Sequence, residues 1–245
     1  TIYSNPIINN VNIINNQSYL MGGGVYLTNS NPVMNNILVQ GNQSASGGGL
    51  YLYGSSPSLS HGRIIENRAD QENGGGIDLF STNQNYGSYP TLTDITIADN
   101  TSTKKGGGIN LYGYTNVIFP YENRSSLFSN SVGSRGSGAD IFGAFAADTI
   151  SLVLDTFTVQ IPTDYYASPL FNFTFVILHS IIPDSVQVQA DLYVSPEGDN
   201  SNSGLTPESP LKTIQYASSI ILADSFNPHT IYLLNGVYSP SSNGE

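Results

Sequence analysis

The stretch Gly74-Gly75-Gly76-Ile77-Asp78-Leu79-Phe80 decides how this chain is read, because it does not stand alone. The same pattern of three glycines followed by an alternating run occurs as MGGGVYLT from Met21, GGGLYLY from Gly47 and KGGGINLY from Lys105, and a variant, GSGADIF, begins at Gly136. The triplets start at Gly22, Gly47, Gly74 and Gly106, and with Gly136 their spacings are 25, 27, 32 and 30 residues. A fixed period of this size marks a repeat architecture, in which no unit buries its apolar side alone and stacked neighbours share one core.

Within each unit the glycines precede a period-two alternation that predicts a half-buried strand. The expected inward pairs are Val25 and Leu27, Leu50 and Leu52, Ile77 and Leu79, Ile109 and Leu111, and Ala139 and Ile141. A second segment follows a proline, as in NPII from Asn5, NPVM from Asn31, SPSL from Ser56 and YPTL from Tyr89; proline starts a strand there but does not sit inside one. A third segment alternates at Val11 and Ile13, Ile37 and Val39, and Ile95 and Ile97. It then closes on an asparagine: Asn16, Asn42, Asn67, Asn100 or Asn130. Each unit therefore supplies three short strands, and a right-handed parallel β-helix with three strands per coil satisfies the pattern.

Coils of such a solenoid lie about 4.8 Å apart, so equivalent residues touch. The five asparagines are expected to form an internal structural ladder, with the amide side chain serving the turn and tolerating left-handed backbone. The glycines are expected to be corners between strands, where positive φ and close backbone approach are needed. A phosphate-binding loop would require a following helix, and the pattern after each triplet is that of a strand.

Composition narrows the function. Lys and Arg number 7 against 18 Asp and Glu, for a net charge of −11, which disfavours a nucleic-acid backbone as partner. Without cysteine the chain has neither a disulfide framework nor a thiol nucleophile. No charged leader precedes an apolar segment, and no apolar run is long enough to cross a bilayer as a helix. A surface built from Asn, Ser, Thr, Gly and Tyr suits an extracellular protein.

Two outward rows on the glycine strand are the candidate contact sites. The position between the inward residues holds Tyr51, Asp78, Asn110 and Asp140, of which the last three are expected to form a polar stripe. Asp78 and Asp140, two coils apart, would lie about 9–10 Å from one another, at the edge of the roughly 6.5–9.5 Å separation of an inverting glycosidase. The position after the second inward residue holds Tyr53, Phe80, Tyr112 and Phe142. These aromatics offer flat faces to sugar rings or a partner protein, or else pack on one another as surface ladders. The three histidines, His61, His179 and His229, have no ligand-like spacing, so no metal triad is expected; room remains for an isolated Ca²⁺ in a turn.

The remaining chain divides in two. From Asp148 to Ile182 the glycine repeat gives way to β-rich sequence, read as terminal coils and linker over 148–190. From Asp191 the chain reads as a short strand, a Gly/Asn/Pro loop, a helix over 211–224 with Leu211, Ile214, Ala217, Ile220 and Ile221 on one face, and a strand from Thr230. The predicted organisation is thus 1–147, coils; 148–190, terminal coils; and 191–245, the start of a second module.

The GGGIxL units with their asparagine closures, together with YVSPEGDNSNSGLTPESPLKTIQYA and TIYLLNGVY near the carboxyl end, resemble the right-handed parallel β-helix proteins of the pectin-lyase-like superfamily. The likeness is greatest to large secreted and surface repeat proteins of bacteria, including autotransported adhesins. The second passage is similar to the capping segment with which many such proteins begin. The resemblance implies a non-enzymatic extracellular rod or filament segment for cell-surface architecture or adhesion, stacking on copies of itself or on adjacent modules. It raises, as the second reading, a polysaccharide lyase, hydrolase or surface-glycan-binding module.

Overall fold

The computed structural model describes residues 4–144, 149–182, 187–222 and 227–239. It is an all-β parallel solenoid, a β-helix, with one short helix. Three parallel sheets run along it. The first has seven strands: Ile7–Ile14, Val33–Gln40, Ser58–Ile65, Thr91–Ala98, Ser125–Phe128, Ile150–Val159 and Phe173–Ile182. The second consists of four two-residue strands, Gln43–Ser44, Arg68–Ala69, Thr101–Ser102 and Ser131–Val132. The third, the glycine-strand sheet, comprises Val25–Thr28, Leu50–Tyr53, Ile77–Ser81, Ile109–Gly113, Ile141–Ala144 and Ala167–Ser168.

Four coils have three strands each, but they are divided differently from the expectation. The post-proline segment and the segment before the asparagine form one eight-residue strand, bent in the middle at Asn10, Asn36, His61 and Asp94, all at φ between 51° and 54°. The bend hides the continuity, because it shifts the inward alternation by one place. The third strand is the two-residue piece just after the asparagine.

The core runs unbroken from Leu27 to Phe173 and is filled by the inward columns: Leu50, Ile77, Ile109 and Ile141 in one, Leu59 and Leu92 in another. Thr149–Ile182 therefore contributes its final strands to the same sheets as the repeats. Insertions in the longer units leave the core: Asn83–Tyr89 carries a 3-10 turn, Gln84–Tyr86, and 114–124 brings Val117 and Phe119 back onto the core edge.

A second, small core of Leu192, Val194, Leu211, Ala217 and Ile220 forms beyond it. Leu192–Val194 pairs in parallel with Ile231–Leu233. The helix covers Ile214–Ile220, half the predicted length. Thr213 caps its start by accepting the Tyr216 N–H. Leu211 is instead bridged to Val194, and Ile221, already extended, to Val188; Asp224 lies outside the described residues. The helix meets the last coil of the large solenoid, where the Tyr166 hydroxyl donates to Ser219 O (3.1 Å) and Gln215 Nε2 donates to the Tyr165 hydroxyl (2.9 Å).

Candidate functional site

The asparagine ladder is a directional chain of hydrogen bonds. The backbone N–H and the side-chain Nδ2 of one asparagine both donate to Oδ1 of the next: Asn16 to Asn42, Asn42 to Asn67, Asn67 to Asn100 and Asn100 to Asn130, all at 2.9–3.0 Å. The second Nδ2 proton reaches a strand carbonyl of the coil before, Ile13 O from Asn42, Val39 O from Asn67, Ile64 O from Asn100 and Ile97 O from Asn130. Every polar atom of Asn42, Asn67 and Asn100 is thus engaged inside the core, as burial of an amide requires. The left-handed residue of each corner is the one before the asparagine: Asn15, Gly41, Glu66, Asp99 and Ser129, at φ of 55–63°.

Asp140 ends this chain. Strand pairing sets Ile141 opposite Ile109, so Gly138-Ala139-Asp140 corresponds to Gly106-Gly107-Gly108, and Asp140 stands where the other coils have their third glycine. A Cβ there points at the ladder: on Gly49 it would lie 3.1 Å from Asn67 Cγ, and on Gly76 3.0 Å from Asn100 Nδ2. The coil of Asp140 has no further asparagine to stack, and its carboxylate fills the space instead. Oδ1 accepts from Asn130 N (3.2 Å) and Nδ2 (2.9 Å), and Oδ2 accepts from the Thr158 hydroxyl (2.6 Å). Burial pushes the Asp140 carboxyl up to about 7 against the lowering effect of these donors.

This register corrects the expected polar stripe. Asp140 points into the core and is fully buried; the inward pair of its coil is Ile141 and Gly143; and Phe142 takes the place of Asp78 and Asn110. Lys105 Nζ sits 4.3 Å above the Phe142 ring. Two coils of 32 residues, rather than a variant that starts at Gly136, separate Gly74, Gly106 and Gly138.

Asp78 and Asn110 are neighbours on the outer side of the glycine strand, as expected, yet neither is open to solvent: they are 3% and 2% exposed. The backbone leading into the triplet folds over them, so closely that a Cβ on Gly74 would lie 2.6 Å from Asp78 Cβ. Asn110 Nδ2 donates to Asp78 Oδ1 (2.7 Å) and the Ser46 hydroxyl to Oδ2 (2.5 Å). Burial raises the Asp78 carboxyl to about 6. Tyr51, next in the row, is 5% exposed, and burial together with the Asp78 charge holds its hydroxyl above the usual phenol range.

The aromatic row is Tyr53, Phe80 and Tyr112, with Phe142 excluded and Ala144 in its place. Phe80 and Tyr112 stack at 5.1 Å and 8°, Tyr26 and Tyr51 at 5.5 Å and 6°, and Tyr53 stacks on Tyr86 of the 3-10 insertion at 6.3 Å. Ring faces, the surfaces a sugar would use, are turned toward each other.

A second ladder escaped the sequence reading. Ser4 N, Ser30 N and Ser55 N donate to the hydroxyls of Ser30, Ser55 and Ser88 at 3.1–3.3 Å. Its signal is the S-x-P of Ser4-Asn5-Pro6, Ser30-Asn31-Pro32, Ser55-Ser56-Pro57 and Ser88-Tyr89-Pro90. Among the described residues no group of three or more His, Asp or Glu is arranged to hold a metal ion, and no helix is long and apolar enough to cross a membrane.

Three parallel sheets, an internal amide ladder and glycine corners define a parallel β-helical repeat protein. Residues 94–111 match the family model of the Chlamydia polymorphic membrane protein repeat. The matched window spans one ladder asparagine, Asn100, and one glycine triplet, Gly106–Gly108, the two features on which the coil turns. No curated protein and no solved structure matches the chain.

Proposed function

We propose that this chain is a rod segment of an extracellular, surface-type protein, a structural element that extends and presents a surface without a catalytic centre. The observation that carries the reading is the uninterrupted core and ladder from the first coil to Asp140. Of the two carboxyls best placed for glycan chemistry, Asp140 is sealed inside the core and Asp78 under the backbone that folds over the glycine strand, and both are committed to hydrogen bonds. The match of residues 94–111 to a repeat described from Chlamydia polymorphic membrane proteins supports a surface location. No cofactor is needed for such a role.

The rod lengthens through its sheet ends. Ile7–Ile14 and Phe173–Ile182 are the outer strands of the seven-stranded sheet, and among the described residues both have unpaired parallel edges, which favour association with another strand. Adjacent modules of a longer chain, or further copies, are the partners that such edges fit; the unit over 187–239 is the start of one such module. Antibody against the folded chain should label intact, non-permeabilised source cells, and labelling that requires permeabilisation would refute the surface reading. Negative-stain images of the concentrated chain should show end-to-end rods where copies are the partner, and compact monomers where adjacent modules are.

A further inference from the structure

The mid-strand bend has a consequence on the outside of the solenoid. Asn10, Asn36, His61 and Asp94 occupy the same place in four successive coils, each in left-handed backbone, and their bends form a line along the rod axis on the outside of the seven-stranded sheet. The result is a groove of about 630 Å³ running along the rod axis and crossing the strands, lined by Asn12, Asn36, His61, Arg63, Asp94 and Thr96 among others. Four coils give it a length of about 14 Å.

Its chemistry is polar and largely uncommitted. Asn12, Leu38, Arg63 and Thr96 stand in one outward row, polar but for Leu38, since Asn12 pairs with Leu38, Leu38 with Arg63 and Arg63 with Thr96. Asn36 Nδ2 donates to Asn10 Oδ1 (2.7 Å), and His61 Nδ1 meets Asn35 Oδ1 at 3.1 Å, which leaves its Nε2 free. The Arg63 guanidinium and the Asp94 carboxylate are exposed and engage no side-chain or backbone partner among the described residues. Arg63 differs in this from Arg68 and Lys104, which are paired with Asp70 and Glu72.

The geometry points to an extended glycan carrying carboxylate groups as the ligand of this groove. Amides, a hydroxyl and a carboxylate bind vicinal hydroxyls, and the planar guanidinium fork of Arg63 matches a sugar carboxylate. The strand backbones are consumed in the sheet, so a peptide cannot add as a strand, and the apolar lining is limited to Leu38 and to Ile37, which is itself buried in the core, too little to anchor a lipid or a bulky peptide side chain. A net charge of −11 opposes a polyphosphate backbone, whereas a sparsely charged glycan meets Arg63 at one point and hydroxyl-binding groups elsewhere. Equivalent side chains recur once per coil, on the scale of one sugar residue.

Calorimetric titration of the whole chain with a hyaluronan hexasaccharide, a neutral N-acetylglucosamine hexamer and a cationic glucosamine hexamer tests the inference. Saturable binding of hyaluronan, weaker or no binding of the other two, and about tenfold loss in Arg63→Gln, as for one charge-assisted contact, are expected. Thr96→Trp, which fills the groove, should abolish binding, and Tyr112→Ala on the other face should leave it intact. Absence of saturable binding by any of the three, or hyaluronan binding unchanged in both Arg63→Gln and Thr96→Trp with unaltered melting curves, overturns the site. Surface labelling of cells is independent of either result, so the rod reading is judged separately.

Discussion

At the residue scale the decisive contrast lies between the ladder's interior and its ends. The Asn67 side chain makes two donor contacts and accepts two more, all buried. Asn67→Ala removes its own contacts and leaves Asn42 with two unpaired donors, so a loss of about 3–5 kcal/mol in denaturant unfolding is expected. The Asn16 side chain, at the exposed end, only donates, and Asn16→Ala should cost about 1 kcal/mol or less. Asp140 and Asp78 add a pH dependence. Their folded-state values, about 7 and about 6, lie above the ordinary carboxyl value of 3.8, so the folded state binds protons that the unfolded state releases. Stability should therefore rise as pH falls from about 7 toward about 4, and decline as pH rises through that window. Melting temperature should be higher at pH 5 than at pH 8, and the double variant Asp78→Asn, Asp140→Asn should flatten the profile. A profile that rises with pH across this window would contradict buried, proton-binding carboxyls.

At the element scale the glycine triplet is three different constraints in sequence. Its first member takes positive φ, as Gly47 does at 65°; its second passes over neighbouring backbone, where a Cβ on Gly48 would lie 2.5 Å from Arg68 C and O; its third lies under the ladder, where a Cβ on Gly49 would be 2.5 Å from Gly76 O. Backbone cannot retreat as a flexible side chain can, so Gly48→Ala is expected to destabilise by about 3 kcal/mol or more. Ser129→Gly, at φ 55°, removes the left-handed penalty of a non-glycine residue and should stabilise by up to about 1 kcal/mol. Both are read by chemical denaturation. The triplet was legible in the sequence because all three demands fall on adjacent residues; the αL site before each asparagine was not, since Asn15, Gly41, Glu66, Asp99 and Ser129 share no side-chain type.

At the scale of the whole molecule, two cores meet across a narrow contact. The large core ends at Phe173, the small one begins at Leu192, and Tyr165 and Tyr166 join the last coil to the short helix. Calorimetry should resolve two transitions, the smaller core melting first, because among the described residues five buried side chains support it against thirty in the large one. Replacing both tyrosines with phenylalanine, which removes the two hydroxyl contacts and keeps the rings in the large core, should lower the first transition and speed proteolytic cleavage between the cores while leaving the second transition nearly unchanged. A single cooperative transition in the native chain would show the two cores to be one unit.

The repeat period, the inward columns, the asparagine ladder and the glycine corners follow from sequence alone, because stacking places equivalent residues in contact and each coil then states its own structure again. Tertiary structure alone decided the last rung. Nothing local distinguishes GSGADIF beginning at Gly136 from GADIFGA beginning at Gly138; the choice is made by pairing Ile141 with Ile109 and by the unpaired donors of Asn130, which require an acceptor at Asp140. The same limit hid the burial of Asp78 and the groove beside Arg63. Alternation along a strand tells which side of the sheet a residue faces; whether that side is covered depends on backbone that returns over it from elsewhere in the chain.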